Sequence, residues 1–208
     1  MKTILFQGDS ITDFGRTTSP DQVQGKGYAT FVTGALGFDY PNEYDFINRG
    51  ISGNRIVDVY ARIKRDIINL KPDIMSILIG VNDVWHEIAN ENGVATEKFF
   101  KIYSMLIEEI KEALPNIKIM IMEPFVLCGT ATEEHIDEFK TGVAEKAAMA
   151  KKVAEKYNLP FIELQKHFDE ASKKAPEAYW LSDGVHPTSA GHELIKREWI
   201  KCFEKQVK

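Results

Sequence analysis

Two cysteines among 208 residues are too few for a disulfide framework. Cys128 and Cys202 also lack metal-ligand spacing; each suits a buried small apolar side chain in a reducing setting. No apolar run approaches the roughly 18 residues that a membrane span needs. Lys and Arg total 26 against 31 Asp and Glu. That balance lacks the clustered positive charge of a nucleic-acid groove or an anionic membrane surface, so neither partner is expected. There is no internal repeat, low-complexity tract or Gly/Ser linker, and the length suits one domain over residues 1–208. Met1 and Lys2 lead straight into strand-like Thr3-Ile4-Leu5-Phe6. That leaves no room for a signal peptide, and a cytoplasmic location is the expectation.

Five short β-rich runs are present: Ile4–Gln7, Asp45–Asn48, Ile74–Ile79, Ile117–Met122 and Pro160–Leu164. The third is almost continuously apolar, as parallel strands covered on both faces are. Helical patterns separate them. Ile56, Val59, Tyr60, Ile63, Ile67 and Leu70 form one stripe that predicts a helix from Ile56 to Leu70, ended by Pro72. Phe99, Ile102, Leu106, Ile110 and Leu114 predict a second, stopped by Pro115. Residues 133–157 are rich in strong helix formers, and a last helix is expected from about Ser189 to Lys205. Strands alternating with helices imply a parallel sheet covered on both sides, a three-layer α/β/α sandwich. Ligands of such sheets bind beyond the carboxyl ends of the strands, where the unusual residues fall.

After the first strand comes Gly8-Asp9-Ser10-Ile11-Thr12-Asp13. A serine at such a turn is a candidate nucleophile if a base can take its proton; taken alone, the segment reads more readily as a helix cap made by Ser10, Thr12 or Asp13. Near the other end, Ser182-Asp183-Gly184-Val185-His186-Pro187 puts a carboxylate three residues before an imidazole. That spacing lets Asp183 fix the tautomer of His186 and stabilise its protonated form, though a solvated surface turn fits it too. After the central strand, Gly80-Val81-Asn82-Asp83 offers the Asn82 amide as a donor, or an ordinary Asx turn. After the second strand, Gly50-Ile51-Ser52-Gly53-Asn54 offers the Gly53 N–H. Together these pieces form a kit for acyl transfer. Ser10 is the nucleophile, His186 the base and Asp183 its orienter. The N–H groups of Ser10 and Gly53 and the Asn82 amide make an oxyanion hole.

These four blocks resemble the SGNH (GDSL) hydrolase superfamily, named for its Ser, Gly, Asn and His, here Ser10, Gly53, Asn82 and His186. The resemblance runs from Gly8 to the last helix and implies a flavodoxin-like sheet of five parallel strands. The Gly-x-Ser-x-Gly elbow of α/β-hydrolases is absent, since Thr12 stands where the second glycine belongs. Gly8 to Arg16, Gly50 to Asn54, Ile79 to Trp85 and His186 to His192 are similar to the bacterial acetylxylan esterase branch. Arg55 departs from that branch, which often carries an uncharged residue there.

Asp9, Trp85 and Trp180 are the candidate substrate contacts, the two aromatics as platforms for a sugar ring. No extended apolar groove is evident, which favours a small acyl group. The expected substrate is an acetylated saccharide such as a xylo-oligosaccharide. The alternatives are a general short-chain ester or thioester hydrolase, a lysophospholipase and, from another class, a nucleotide-binding module. The last fits poorly, because Gly8 to Asp13 carries two acids where a phosphate would lie. No cofactor is expected. No metal is expected either, since His86, His135, His167 and His192 form no ligand cluster. A homo-oligomer is left open. The segment from Glu123 to about Glu134, with Phe125, Val126 and Leu127, has the length of a loop that covers a site.

Overall fold

A computed structural model of the chain describes residues 1–17 and 23–207. Five strands, β1 (Lys2–Gly8), β2 (Tyr44–Asn48), β3 (Ile74–Leu78), β4 (Lys118–Met122) and β5 (Phe161–Ile162), form one sheet in the order β2-β1-β3-β4-β5. All pairings are parallel, with Phe6 opposite Asn48 and Gly8 opposite Leu78. The expected flavodoxin-like sandwich is therefore the observed fold. Around the sheet lie α1 (Ser10–Asp13), α2 (Tyr28–Asp39), α3 (Ile56–Ala61), α4 (Ile63–Asp66) and α5 (Val81–Asn90). They are followed by α6 (Thr96–Ala113), α7 (Ile136–Tyr157), α8 (Gln165–Ser172), α9 (Glu177–Trp180) and α10 (Ser189–Cys202).

Strand alternation makes the two cores. Ile4, Phe6, Ile74, Leu78, Met120 and Met122 face one side and pack against Tyr28, Val32, Ile195 and Trp199 of α2 and α10. Leu5, Met75, Ile77, Ile119 and Ile121 face the other side, against Ile56, Val59, Phe99, Tyr103 and Leu106 of α3 and α6. Both faces are dry, which explains the near-continuous apolar character of the central strands. No helix among the described residues is long and apolar enough to cross a membrane.

Two expectations change. The helix predicted from Ile56 to Leu70 is broken into α3, α4 and a 3-10 turn at Ile68–Leu70, with the first break at Arg62 (φ −113°). Ile56, Val59, Ile63 and Ile67 of the apolar stripe are still buried, with Tyr60 and Leu70 partly so, but the Arg62 side chain is drawn into hydrogen bonds with the strand ends. The Glu123–Glu134 segment is no free flap. Phe125, Val126 and Leu127 are core residues. Leu127 N–H donates to the Gly184 carbonyl at 2.9 Å and Ala131 N–H to that of Asp183 at 2.9 Å. The segment braces the turn that carries His186.

The chain leaves β1 toward β2 on one side and β3 toward β4 on the other. The carboxyl ends of β1 and β3 thus flank the crevice where the strand order reverses, the position at which open α/β sheets bind ligands.

Candidate active site

Ser10 sits on a tight strand-to-helix turn. A Cβ on Gly8 would lie 2.4 Å from the Leu78 carbonyl oxygen and 2.5 Å from Thr12 Oγ1, so only glycine lets the strand end this close to its neighbours. Asp9 caps α1, its Oδ1 accepting the Ile11 N–H at 3.0 Å. Phe14, left-handed at φ 32°, closes the turn by donating to the Ser10 carbonyl at 3.0 Å. The cap is therefore Asp9 and not Ser10, Thr12 or Asp13, and the Ser10 hydroxyl makes no cap hydrogen bond.

That hydroxyl is 2.9 Å from His186 Nε2, and His186 Nδ1 is 2.7 Å from Asp183 Oδ2. The other carboxylate oxygen, Oδ1, accepts the N–H groups of Val185 at 2.9 Å and His186 at 2.7 Å. Burial pushes the Asp183 carboxyl up, but the His186 and Val185 donors outweigh it and hold the group below its ordinary range. It therefore stays charged. The turn is pinned by Ser182 N–H donating to the His186 carbonyl at 2.8 Å and by a bridge between Leu181 and Pro187. Gly184, at φ 96°, passes where a Cβ would come within 2.5 Å of Thr132 Oγ1. Helix α10 is capped by Thr188, whose hydroxyl accepts from Gly191 N–H at 3.3 Å.

Two further blocks converge on the same edge. Gly53 adopts φ 80° in the loop after β2. Ile51 N–H donates to the Gly8 carbonyl at 3.1 Å, tying that loop to the serine turn. Asn48 carries the tie further: its amide donates to the carbonyls of Thr12 (2.6 Å) and Gln24 (2.8 Å) and accepts from Gly50 N–H at 2.8 Å. Asn82 lies in the first turn of α5, and its amide donates to the Asn54 carbonyl at 3.2 Å. One of its two amide protons remains for another acceptor. Among the described residues, the N–H groups of Ser10 and Gly53 are given to no other protein group.

Of the three expected substrate contacts, Trp85 stands beside the Ser10–His186–Asp183 chain, its ring centroid 6.0 Å from that of His186. Asp9 lies beneath the serine instead, 1% exposed. Burial, against the Ile11 N–H and the neighbouring His186, pushes its carboxyl up to about 7. Trp180 lines a different groove, with Ala171, Lys174, Ala190 and Leu194. A separate cleft of about 590 Å³ lies against α5 and α7 and is lined by Asp83, Glu87, Thr96, Glu145 and Lys146, with Ser10 and His186 outside it. Arg55 turns away to Asp58 (3.0 Å) and Asn92 (2.6 Å) at the start of α3.

Sequence reasoning missed several supports of this edge. Asp83 accepts the Ile56 N–H at 3.1 Å and so anchors the end of the Gly53 loop; burial pushes its carboxyl to about 8. His192, fully buried, accepts the Tyr28 N–H on Nδ1 at 3.0 Å, and burial holds it down at about 4. It acts as a neutral fastener between α2 and α10. A buried imidazole on a helix looks the same in sequence as an exposed one, so no pattern flagged it. Among the described residues no group of His, Cys, Asp and Glu is arranged to hold a metal ion.

The arrangement suits attack by a hydroxyl on a carbonyl, and it coincides with a known family. The sequence profile of the GDSL-like lipase/acylhydrolase family matches residues 6–194. The chain belongs to that family. It is 34% identical to an acetylxylan esterase from Geobacillus stearothermophilus over 95% of this chain and 92% of that protein. A crystal structure of that acetylxylan esterase, Axe2, superposes with a TM-score of 0.86 at 34% identity, over 97% of this chain and 93% of the other. A crystal structure from Parabacteroides merdae ATCC 43184 superposes with a TM-score of 0.92 at 36% identity, over 98% and 95% of the two chains. This GDSL-family protein is thus a carboxylic ester hydrolase.

Proposed function

We propose that the protein is a serine esterase that removes acetyl groups from saccharides, xylo-oligosaccharides being the leading class. The observation that carries this reading is the unbroken chain Ser10 Oγ, His186 Nε2, His186 Nδ1, Asp183 Oδ2, with links of 2.9 and 2.7 Å. It stands at the strand edge that also holds Gly53 and Asn82. In this reading Ser10 Oγ bonds to the acyl carbon while its proton passes to His186 Nε2. The negative oxygen of the tetrahedral intermediate is met by the N–H groups of Ser10 and Gly53 and the free proton of the Asn82 amide. The intermediate collapses as the sugar oxygen leaves with the proton from His186. Water, activated by the same imidazole, then releases the acid from Ser10. Asp183 keeps its charge throughout and holds the imidazole in the tautomer with Nε2 free.

The choice of substrate leans on the acetylxylan esterase relative and on Trp85, whose ring offers an apolar face beside the base. The two free thiols support a reducing, cytoplasmic setting. The test is a rate series over aryl esters of increasing chain length, acetyl thioesters and acetylated xylo-oligosaccharides. The expected order has acetyl fastest and the oligosaccharide with the highest kcat/KM. Preference for chains of eight or more carbons would sink the reading, and faster turnover of thioesters would replace the saccharide with a thioester substrate.

A further inference from the structure

Arg62 interrupts the helix that its apolar neighbours predict, and its guanidinium is spent in full. Nε donates to Asn54 Oδ1 at 2.8 Å. Nη1 donates to the Arg49 carbonyl at 2.8 Å and to Asp66 Oδ2 at 3.1 Å. Nη2 donates to Gln7 Oε1 at 2.7 Å and to the Gly8 carbonyl at 3.3 Å. A guanidinium has five N–H donors in a fixed plane, and here five acceptors take them. The side chain is 9% exposed, and its carboxylate partner Asp66 is shared with Arg65 and Arg49.

The acceptors are informative because of where they lie. Gln7 and Gly8 end β1, one step before the cap and two before the nucleophile. Arg49 follows β2 at the root of the glycine loop. Asn54 adjoins Gly53, and its own carbonyl accepts the Asn82 amide at 3.2 Å. One planar group therefore spans the serine turn, the Gly53 loop and, through Asn54, the Asn82 donor. Those elements come from three separate stretches of chain, and their relative spacing decides where an oxyanion could sit.

We propose that Arg62 is a positioning residue that sets the distance between the Ser10 turn and the Gly53–Asn82 donors, joining them through its bonds to Gly8, Gln7, Arg49 and Asn54. This inference rests on the roles of Ser10, Gly53 and Asn82 given under Proposed function. Lysine cannot replace Arg62, since one ammonium with three protons cannot reach acceptors spread around the edge of a planar fork. A displacement of about 1 Å at a reacting centre costs about 100-fold in rate, so a loosened hole should show in turnover before it shows in binding.

The experiment compares wild type, Arg62→Lys, Asn54→Ala and Ser10→Ala on an aryl acetate. Active-site titration supplies the fraction of competent enzyme. A trifluoromethyl ketone, which forms a tetrahedral adduct on a serine, reports the hole directly. Arg62→Lys is expected to lower kcat by about 100-fold with KM within about threefold, and to weaken the ketone in parallel with kcat/KM. Asn54→Ala, which removes only the loop-side acceptor, should lower kcat by about tenfold with the same signature. It decides the matter if Arg62→Lys does not fold. Wild-type kcat in a folded Arg62→Lys or, failing that, in Asn54→Ala overturns the proposal. So does a loss fully explained by a smaller competent fraction, which would make Arg62 a stability residue only. Activity retained in Ser10→Ala would overturn the underlying reading instead, and the inference with it.

Discussion

Replacing Asp183 by Asn exchanges one oxygen for an NH2 group, and the geometry of the turn decides which way that group must point. Oδ1 already accepts two N–H groups, from Val185 and His186. The amide must keep its carbonyl there, because reversing it would set NH2 against two donors. The NH2 group therefore faces His186 Nδ1, 2.7 Å away in the wild-type turn, and requires Nδ1 to be an acceptor. The ring proton then resides on Nε2, which points at Ser10 Oγ across 2.9 Å, so the base arrives already protonated. Enforcing the wrong tautomer in a Ser-His-Asp system costs about 10⁴ in kcat, or roughly 5.5 kcal/mol at about 1.36 kcal/mol per tenfold. The turn itself should survive, since both backbone bonds to Oδ1 are kept. The stability difference should also depend on pH in a defined way. The Asp183 carboxyl is held below its ordinary value of 3.8 in the fold. Its charged form thus contributes stability above about 3.8 that is lost as pH falls through the depressed value, and the Asn variant lacks that contribution. Initial rates on an aryl acetate with active-site titration, beside thermal melts at pH 7 and below pH 4, measure both. A variant within tenfold of wild-type turnover would refute the tautomer argument. A melting difference that did not shrink below pH 4 would refute the linkage.

Asn82→Ala should lower kcat by about 10²–10³-fold with little change in KM, the cost of one oxyanion donor; a loss confined to KM would assign Asn82 to ground-state binding. Asp9→Asn should stabilise the protein increasingly as pH rises from about 4 to about 7. The wild-type carboxyl, raised from 3.8 to about 7 by burial, keeps its proton in the folded state over that range while the unfolded chain gives it up, so folding must take up a proton at growing cost. The limiting gain is roughly 4 kcal/mol by linkage. Chemical denaturation of both proteins at pH 5 and 8 reads the difference, and parallel pH dependences would show that Asp9 is not the titrating group. Trp85→Ala should raise KM for acetylated xylo-oligosaccharides while leaving small aryl acetates near wild type; equal losses on both would remove Trp85 as a sugar platform.

Several elements escaped the sequence for identifiable reasons. Helix α2 buries Tyr28, Ala29, Val32 and Leu36, but Gly34, Gly37 and an exposed Phe38 dilute its stripe below recognition. The stretch after Gly80 reads as a polar turn, yet it is the first turn of α5, and Asn82 is presented from a helix. The stripe from Ile56 to Leu70 correctly placed a buried face and wrongly implied an unbroken helix. Nothing local announces that Arg62 has four of its five acceptors in other segments. Asp9 and Trp180 looked like neighbours of substrate because they are neighbours in sequence of Ser10 and Asp183. The cap geometry and the turn at Leu181 send both side chains elsewhere.

What the sequence determined by itself was local. Alternation and apolar runs specified strands buried on both faces. The Asp183–His186 spacing specified a carboxylate within reach of an imidazole, and Gly8 marked a turn where backbone must come close. These features arise from covalent geometry and solvent preference over a few residues. The tertiary structure alone decided that Ser10 and His186, 176 residues apart, stand within a hydrogen bond. It also decided that one arginine bonds at once to Gly8, Arg49 and Asn54 and that buried Asp9 and His192 are shifted to about 7 and about 4. Those outcomes depend on long-range packing and on desolvation by residues distant in the chain, which no local pattern encodes.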